Sequence, residues 1–388
     1  MIFHVHFSAS EHSGEIRRIR NINQNFVSNV SKEIIEISFL SLPLFFRKSS
    51  RGFRLSANVQ KKIVIPTLPF RFKYVLFRQI NSIWMSLWLK ILFLLHKPSH
   101  IVVEYSIGWE VLRFVRNKTK CVIDAHGAVA DEYKYNTSCF REDMYNYLYR
   151  LEIQGVREAD YYICQSEAMK SYLCQISGKE HEDKMAVFQC NASSRCFRYD
   201  SRVRSEMRDV LGFSENEQVL VYSGGLHKWQ MIDESIALFL KYKEYNPNCR
   251  MLILTRECEA ARHKILDMCG AGREDISVLS TSYDQVYKYL NAADAGILLR
   301  EDVMLNRVAS PTKLGEYLMT GLPVISKSVA NCWIKDDRFL FNIDDVEIDK
   351  LESFITNTNR DVVAEYGAYY HSLDCDINNI SHLINGCK

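Results

Sequence analysis

Short apolar runs alternate with helix-length amphipathic stretches along most of this 388-residue chain, and they do so in two successive series. The first places strands at residues 2–7, 33–40, 62–65, 101–104, 121–124, 161–164 and 185–188, with helical patterns at 141–158 and 167–176 and another from about residue 15. The second places strands at 218–222, 250–254, 276–279, 295–299 and 323–325, with helices at 233–245, 257–268, 283–292 and 312–320. Such βαβ alternation predicts a doubly wound parallel sheet in each series. The expected fold is therefore α/β, with two Rossmann-like domains facing a central cleft. The boundaries are 1–190 for an N-terminal Rossmann-like domain, 191–200 for a polar linker and 201–360 for a C-terminal Rossmann-like domain. Residues 361–388 are expected to form a helical segment packing back across the domains. Ligands of such sheets bind at the carboxyl ends of the strands.

The hydrophobic fraction of 47% and charged fraction of 25% exclude a disordered or fibrous chain. Twelve cysteines are scattered without a C-x-x-C pair, which fits reduced thiols better than a zinc site or disulfide staples. The start, MIFHVH, is not expected to act as a signal peptide. The net charge of +2 conceals an asymmetry. Residues 37–103 hold no Asp or Glu but eleven Lys and Arg, among them Arg47, Lys48, Arg51 and Arg54, and the rest of the chain is net acidic. The same segment is rich in Phe, Trp, Leu and Ile, yet its uncharged run between Arg78 and Lys90 is too short to span a bilayer. Two readings follow: an element lying on an anionic membrane surface, or a buried helix over 83–95 with a solvated basic flank. No nucleic-acid motif accompanies the charge, so nucleic acid is not the expected partner.

The most informative motif is SPTKLGEYLMTGLPVI at 310–325. Pro311 and Thr312 open a helix, leaving backbone N–H groups for a phosphate. Lys313 adds charge in the first turn, and Glu316, on the same face, can accept two hydrogen bonds from a ribose diol. This segment resembles the donor domain of GT-B glycosyltransferases, in particular the large retaining GT4 (group 1) family, with its P-x-K-x-x-E-Y-x-x-x-G-x-P-V-I pattern. Three further segments resemble the same family in the same order: ADYYICQSEAMKSYL at 159–173, VYSGGLHKWQ at 221–230 and NAADAGILLR at 291–300. The glycines Gly224 and Gly225 would let a diphosphate approach the backbone, with Lys228 nearby, and Arg300 ends its strand.

The chain departs from the family at three positions. The usual Arg and Lys of the first donor loop are replaced by Gly225 and Gln230, which leaves Lys228, Arg300 and Lys313 as candidate diphosphate cations. The first of two spaced glutamates on the donor helix is Val308, while Glu316 matches the second; Glu301, Asp302 and Asn306 are the alternatives for sugar contact. In the N-terminal series, CVIDAHGAVADE at 121–132 resembles the family's Asp-x-His-Gly segment. His126 is the candidate reacting-centre residue, or else a cap on the strand end. Asp124 is expected to bond the turn backbone, and Glu132 is a possible acceptor-side base. Gly14, in SEHSGE at 10–15, is a candidate ligand-loop glycine, with His12 beside it an exposed loop residue.

The resemblance implies a retaining glycosyltransferase acting on a nucleotide diphosphate sugar donor and a glycan or polyprenyl-linked acceptor, in surface polysaccharide assembly such as capsule or O-antigen. It implies no metal or other cofactor, because cationic side chains would stabilise the leaving diphosphate. The expected location is cytoplasmic, peripheral on the inner face of the cell membrane. The alternatives are a nucleotide-sugar 2-epimerase of the same fold and a non-catalytic partner subunit.

Overall fold

A computed structural model of the chain describes residues 1–7, 18–20, 22–31, 33–46, 59–68, 74–115, 119–193, 196–334, 336–372 and 386. Gly14, His12 and the basic residues 47–54 lie outside the described residues. By internal packing the chain divides into two units, Met1–Gln189 with Asp376–Lys388, and Cys190–Cys375.

The first unit holds one parallel sheet: β1 (Ile2–His6), β2 (Ile34–Ser41), β3 (Lys61–Thr67), β4 (His100–Glu104), β5 (Lys120–Ala125), β6 (Tyr161–Cys164) and β7 (Met185–Val187). Their spatial order is β3-β2-β1-β4-β5-β6-β7. The strand direction of progress reverses between β1 and β4, the crevice where doubly wound sheets take ligands. Period two sorts the side chains. Ile2, Ile34, Val102 and Val122 share one face and pack in a single cluster. Two residues further along the same face the row turns polar, with His4, Glu36, Glu104 and Asp124 all buried.

The second unit repeats the plan with β8 (Gln218–Ser223), β9 (Cys249–Leu254), β10 (Ile276–Leu279), β11 (Ala295–Ile297), β12 (Val324–Ser326) and β13 (Leu340–Asn342), ordered β10-β9-β8-β11-β12-β13. Val219, Val221, Leu252 and Leu254 face one core, and Leu220, Tyr222, Met251 and Ile253 face the other. Both faces are covered, as an all-parallel sheet requires. The final strand β13 was not among the expected elements; its three residues are too few to display a period.

The described residues 191–193 and 196–200 make contacts within the second unit. Ala192 forms a β-bridge with Ser372, the Asn191 amide donates to the Ser372 carbonyl at 3.2 Å, and the Asp200 side chain caps the helix Ser201–Leu211. The helix Arg360–Tyr370 belongs to the same unit and lies so close to the Thr312–Met319 helix that a Cβ on Gly367 would sit 2.5 Å from the Met319 nitrogen. The remainder of the expected terminal helix falls outside the described residues. All described cysteines are free thiols. Among the described residues no helix is long and apolar enough to cross a membrane.

The acid-free segment contains a 22-residue helix, Val75–His96, longer than expected at its start. It closes where Lys97 turns left-handed, φ 48°, ahead of Pro98. It is not the ordinary buried helix of one reading, since Leu76, Ile80, Leu87 and Leu94 are all exposed.

Candidate functional site

In the first unit the polar row converges on the end of β4. Glu104 accepts from His4 Nε2 with one carboxylate oxygen and from His126 Nε2, at 2.7 Å, with the other. The Asn23 amide donates to His4 Nδ1 at 3.1 Å, which leaves the His4 proton on Nε2, directed at Glu104. His126 Nε2 also lies 3.2 Å from Asp124 Oδ2. Asp124, expected to bond the turn backbone, instead takes Arg18 Nε on its two oxygens at 3.2 and 3.1 Å. Two carboxylates thus face two cations, Arg18 and His126, in a buried and balanced network. Burial alone would lower the His126 pKa, but Asp124 and Glu104 outweigh it and push it up to about 10. Burial likewise works against the charge on Glu104, and the His126 and His4 hydrogen bonds overcome it to hold that carboxyl well below its ordinary range. An imidazole held protonated is a fixed hydrogen-bond donor, not a general base at neutral pH.

Tyr105 takes a left-handed backbone, φ 68°, and lays its ring on the His126 imidazole with centroids 4.2 Å apart. Such backbone conformations cluster at functional sites. The ligand atoms of Glu104, Asp124 and His126 lie within 4.8 Å of one another, a set that could hold a metal ion. With Arg18 and His126 already neutralising both carboxylates, the donor set fits an ion-pair network better than a metal site.

Gly127 follows His126, and a Cβ there would meet Glu132 Oε1 at 2.0 Å and push that carboxylate aside. Glu132 is therefore folded over this turn, in the first turn of the helix Val129–Asn136. The N-terminus of that helix is held by Glu152, which accepts from the Val129 and Ala130 N–H groups at 2.8 and 3.2 Å and whose pKa burial pushes up to about 8.

In the second unit the switch point lies between β8 and β11. Gly224 and Gly225 follow β8 with ordinary backbone angles, and their loop is closed by the Tyr222 hydroxyl, which donates to the Gly225 carbonyl at 2.5 Å and lies 3.3 Å from Gln230 Oε1. Lys228 is exposed, in the short turn Lys228–Gln230. Arg300 is 7% exposed just beyond β11. Its Nη1 donates to the carbonyls of Leu299 at 2.9 Å and Gln230 at 3.5 Å, and its guanidinium lies 5.3 Å over the Trp229 ring. It does not pair with its neighbour Asp302, which is engaged by Arg307 at 2.6 Å. Burial pushes its pKa down.

The helix Thr312–Met319 starts at Pro311 and carries Lys313 and Glu316 as an ion pair at 2.7 Å. Glu316 is wholly buried and Lys313 and Thr312 partly so. Tyr317 fastens the helix to the switch point: its hydroxyl accepts from the Ser223 N–H at 2.8 Å and lies 3.4 Å from the Ile297 carbonyl. The structure thus brings Gly224, Gly225 and Arg300 together and ties the Lys313–Glu316 helix to them. His126 and Glu132 share the first unit. Sequence reasoning missed Tyr317 and Trp229 in one unit and Arg18, His4, Glu104 and Tyr105 in the other. The signal available for the second group was a glutamate ending the apolar run His100–Glu104 and two histidines on one face of β1.

No protein-family model matches the sequence, and no curated protein does. Solved structures match along nearly the whole chain. Anabaena HepE in complex with UDP superposes with a TM-score of 0.70 at 13% identity, covering 99% of both chains. Sucrose-phosphate synthase from Thermosynechococcus elongatus gives 0.73 at 12% identity, covering 99% of this chain and 98% of that one. The lipopolysaccharide outer core galactosyltransferase WaaB gives 0.64 at 13%, covering 99% of both. A putative UDP-N-acetylglucosamine 2-epimerase from Listeria monocytogenes gives 0.59 at 11%, covering 99% and 95%. With two doubly wound parallel sheets and these superpositions, the chain has the fold of the GT-B glycosyltransferases.

Proposed function

We propose that this protein is a glycosyltransferase that moves a sugar from a nucleotide diphosphate sugar to a hydroxyl of a glycan acceptor. The observation that carries the reading is Arg300, a buried guanidinium at the switch point of the second unit that is bonded to carbonyls and, among the described residues, to no carboxylate. A cation kept there is supplied for an anion that arrives with the substrate, and a leaving diphosphate gains charge as the glycosidic bond breaks. Glu316 would take the ribose, and Lys313, Thr312 and the Gly224–Gly225 loop would line the phosphates. The solved relatives support the donor class, since HepE was captured with UDP and with UDP-glucose. Retention at the anomeric carbon, a polyprenyl-linked acceptor and a place in capsule or O-antigen assembly follow from the GT4-like motif. So does catalysis without a metal. The acid-free segment supports a peripheral position at the cytoplasmic face of an anionic membrane.

A donor screen tests the reading. Released nucleoside diphosphate should depend on both a particular donor and an added glycan acceptor. The 2-epimerase reading is favoured by the Listeria neighbour, and conversion of the donor sugar without acceptor would establish it in place of transfer. Tight nucleotide binding with neither reaction would mark a non-catalytic subunit. For Glu316→Gln, charged hydrogen bonds to a ribose diol contribute roughly 1.5–3 kcal/mol. Donor affinity should therefore drop about ten-fold or more by calorimetry. Unchanged affinity would remove Glu316 from the donor site.

A further inference from the structure

The helix Val75–His96 carries apolar residues on both faces. It buries Met85, Leu89 and Leu92 together with Asn81, Ser82 and Ser86, whereas Leu76, Ile80, Ile83, Leu87, Ile91 and Leu94 form one exposed stripe at spacings of three and four. Leu76 and Leu94, near its two ends, are 64% and 71% exposed. The inner face packs Phe93 edge-on to Phe3, ring centroids 5.4 Å apart, and is fixed by polar contacts as well. Asn81 exchanges hydrogen bonds with the Leu68 backbone at 3.1 and 3.4 Å, Ser86 Oγ donates to the Val111 carbonyl at 2.8 Å, and Arg78 pairs with Glu110 at 2.8 Å. Trp84, beside the stripe, donates from its indole to the Pro66 carbonyl at 3.0 Å. A contiguous apolar stripe of this length on a folded surface marks an interaction site.

We propose that this stripe is a membrane-docking face that enters the interfacial layer of an anionic bilayer. The charge around it selects that occupant. Lys90 and Lys97 are exposed on and just beyond the helix, Lys61 is exposed on the edge strand β3, and residues 37–103 carry no acid at all. The nearby acid Glu110 points inward and is neutralised by Arg78. Apolar side chains rimmed by lysines match an anionic headgroup layer above hydrocarbon. A second copy of the chain would bring one cationic rim against another. The inference rests on the membrane reading above for its partner and adds the element and the mode of contact: burial of side chains, not charge attraction alone.

The test uses the full chain and a variant that keeps every charge, Ile80→Ser, Leu87→Ser, Leu94→Ser. Vesicles of phosphatidylcholine with and without phosphatidylglycerol are sedimented at low and high salt, and nucleoside diphosphate binding is measured on the same samples. Wild type should sediment with the anionic vesicles and retain part of that binding at high salt. The variant should bind at least about a hundred-fold more weakly, since each buried aliphatic side chain contributes substantially, with an unchanged or higher melting temperature. Wild type remaining in the supernatant, or the variant binding as well as wild type, would overturn the proposal. A lipid-free dimer that the variant dissolves would assign the face to a second copy and overturn it too. Absent docking with intact nucleotide binding sinks this inference alone. Docking without any nucleotide binding sinks the transferase reading alone.

Discussion

Arg300→Ala should lower turnover about a hundred-fold, the usual loss when one group stabilising transition-state charge is removed. The effect should fall on the rate more than on donor binding, because the leaving diphosphate gains its charge only as the bond breaks. Arg300→Met sharpens the test. The guanidinium is buried against carbonyls and an indole ring, and burial pushes its pKa down, so keeping it charged costs the folded state free energy. A hydrophobic replacement of similar length should leave the melting temperature unchanged or raise it while abolishing transfer. A purely structural arginine would behave in the opposite way, losing stability and keeping activity. Lys228→Ala, at an exposed position, should cost much less. Transfer rates at saturating donor, with thermal unfolding of each variant, decide between these patterns; near-wild-type turnover in both Arg300 variants would put the diphosphate elsewhere.

Glu104→Gln should be the most destabilising single change in the first unit. It leaves His4 and His126 facing a neutral amide and leaves His126 to share Asp124 with Arg18. Breaking a buried ion pair from one side costs about 3–5 kcal/mol. For a body of this size that is roughly a 10 °C fall in melting temperature. The loss should depend on pH. The Glu104 carboxyl lies below its ordinary 4.5 in the folded chain, so its contribution is complete above about pH 4.5 and fades as pH falls through the folded value. His126 lies above its ordinary 6.5, at about 10, so its contribution is complete below about pH 6.5 and is lost as pH rises through 10. The gap between wild type and variant should therefore be widest between pH 4.5 and 6.5 and narrow on both sides. Melting curves of both proteins from below pH 4.5 to above pH 6.5 check it. A gap that stays constant from acid to alkali would mean that the network is not ionised as described.

The two sheets were legible because strands buried on both faces are written as nearly unbroken apolar runs, as in Gln218–Ser223 and Cys249–Leu254. Leu340–Asn342 escaped because three residues carry no period. The donor-side helix was equally plain: Pro311, Lys313 and Glu316 sit within one turn and a half of sequence. The first-unit network was not. Glu104 lies a hundred residues from His4, and Asp124 more than a hundred from Arg18, so only the sheet order that sets β1 beside β4 and β4 beside β5 reveals that they meet. The segment Val75–His96 left two readings open for a different reason. Apolar residues lie on both faces of this helix, so period alone does not say which face turns inward; Met85, Leu89 and Leu92 are buried with Asn81, Ser82 and Ser86, while Leu76, Ile80 and Leu87 stay outside.

A helix gripped through directional hydrogen bonds cannot roll about its own axis as one packed only by grease can. The Asn81, Ser86 and Arg78 contacts fix which way the stripe looks, so the first unit would meet a lipid surface in a single pose. Its search for a lipid-linked acceptor would then run in two dimensions, with the mouth of the β1–β4 crevice held at a constant height and heading over the plane in which that acceptor diffuses.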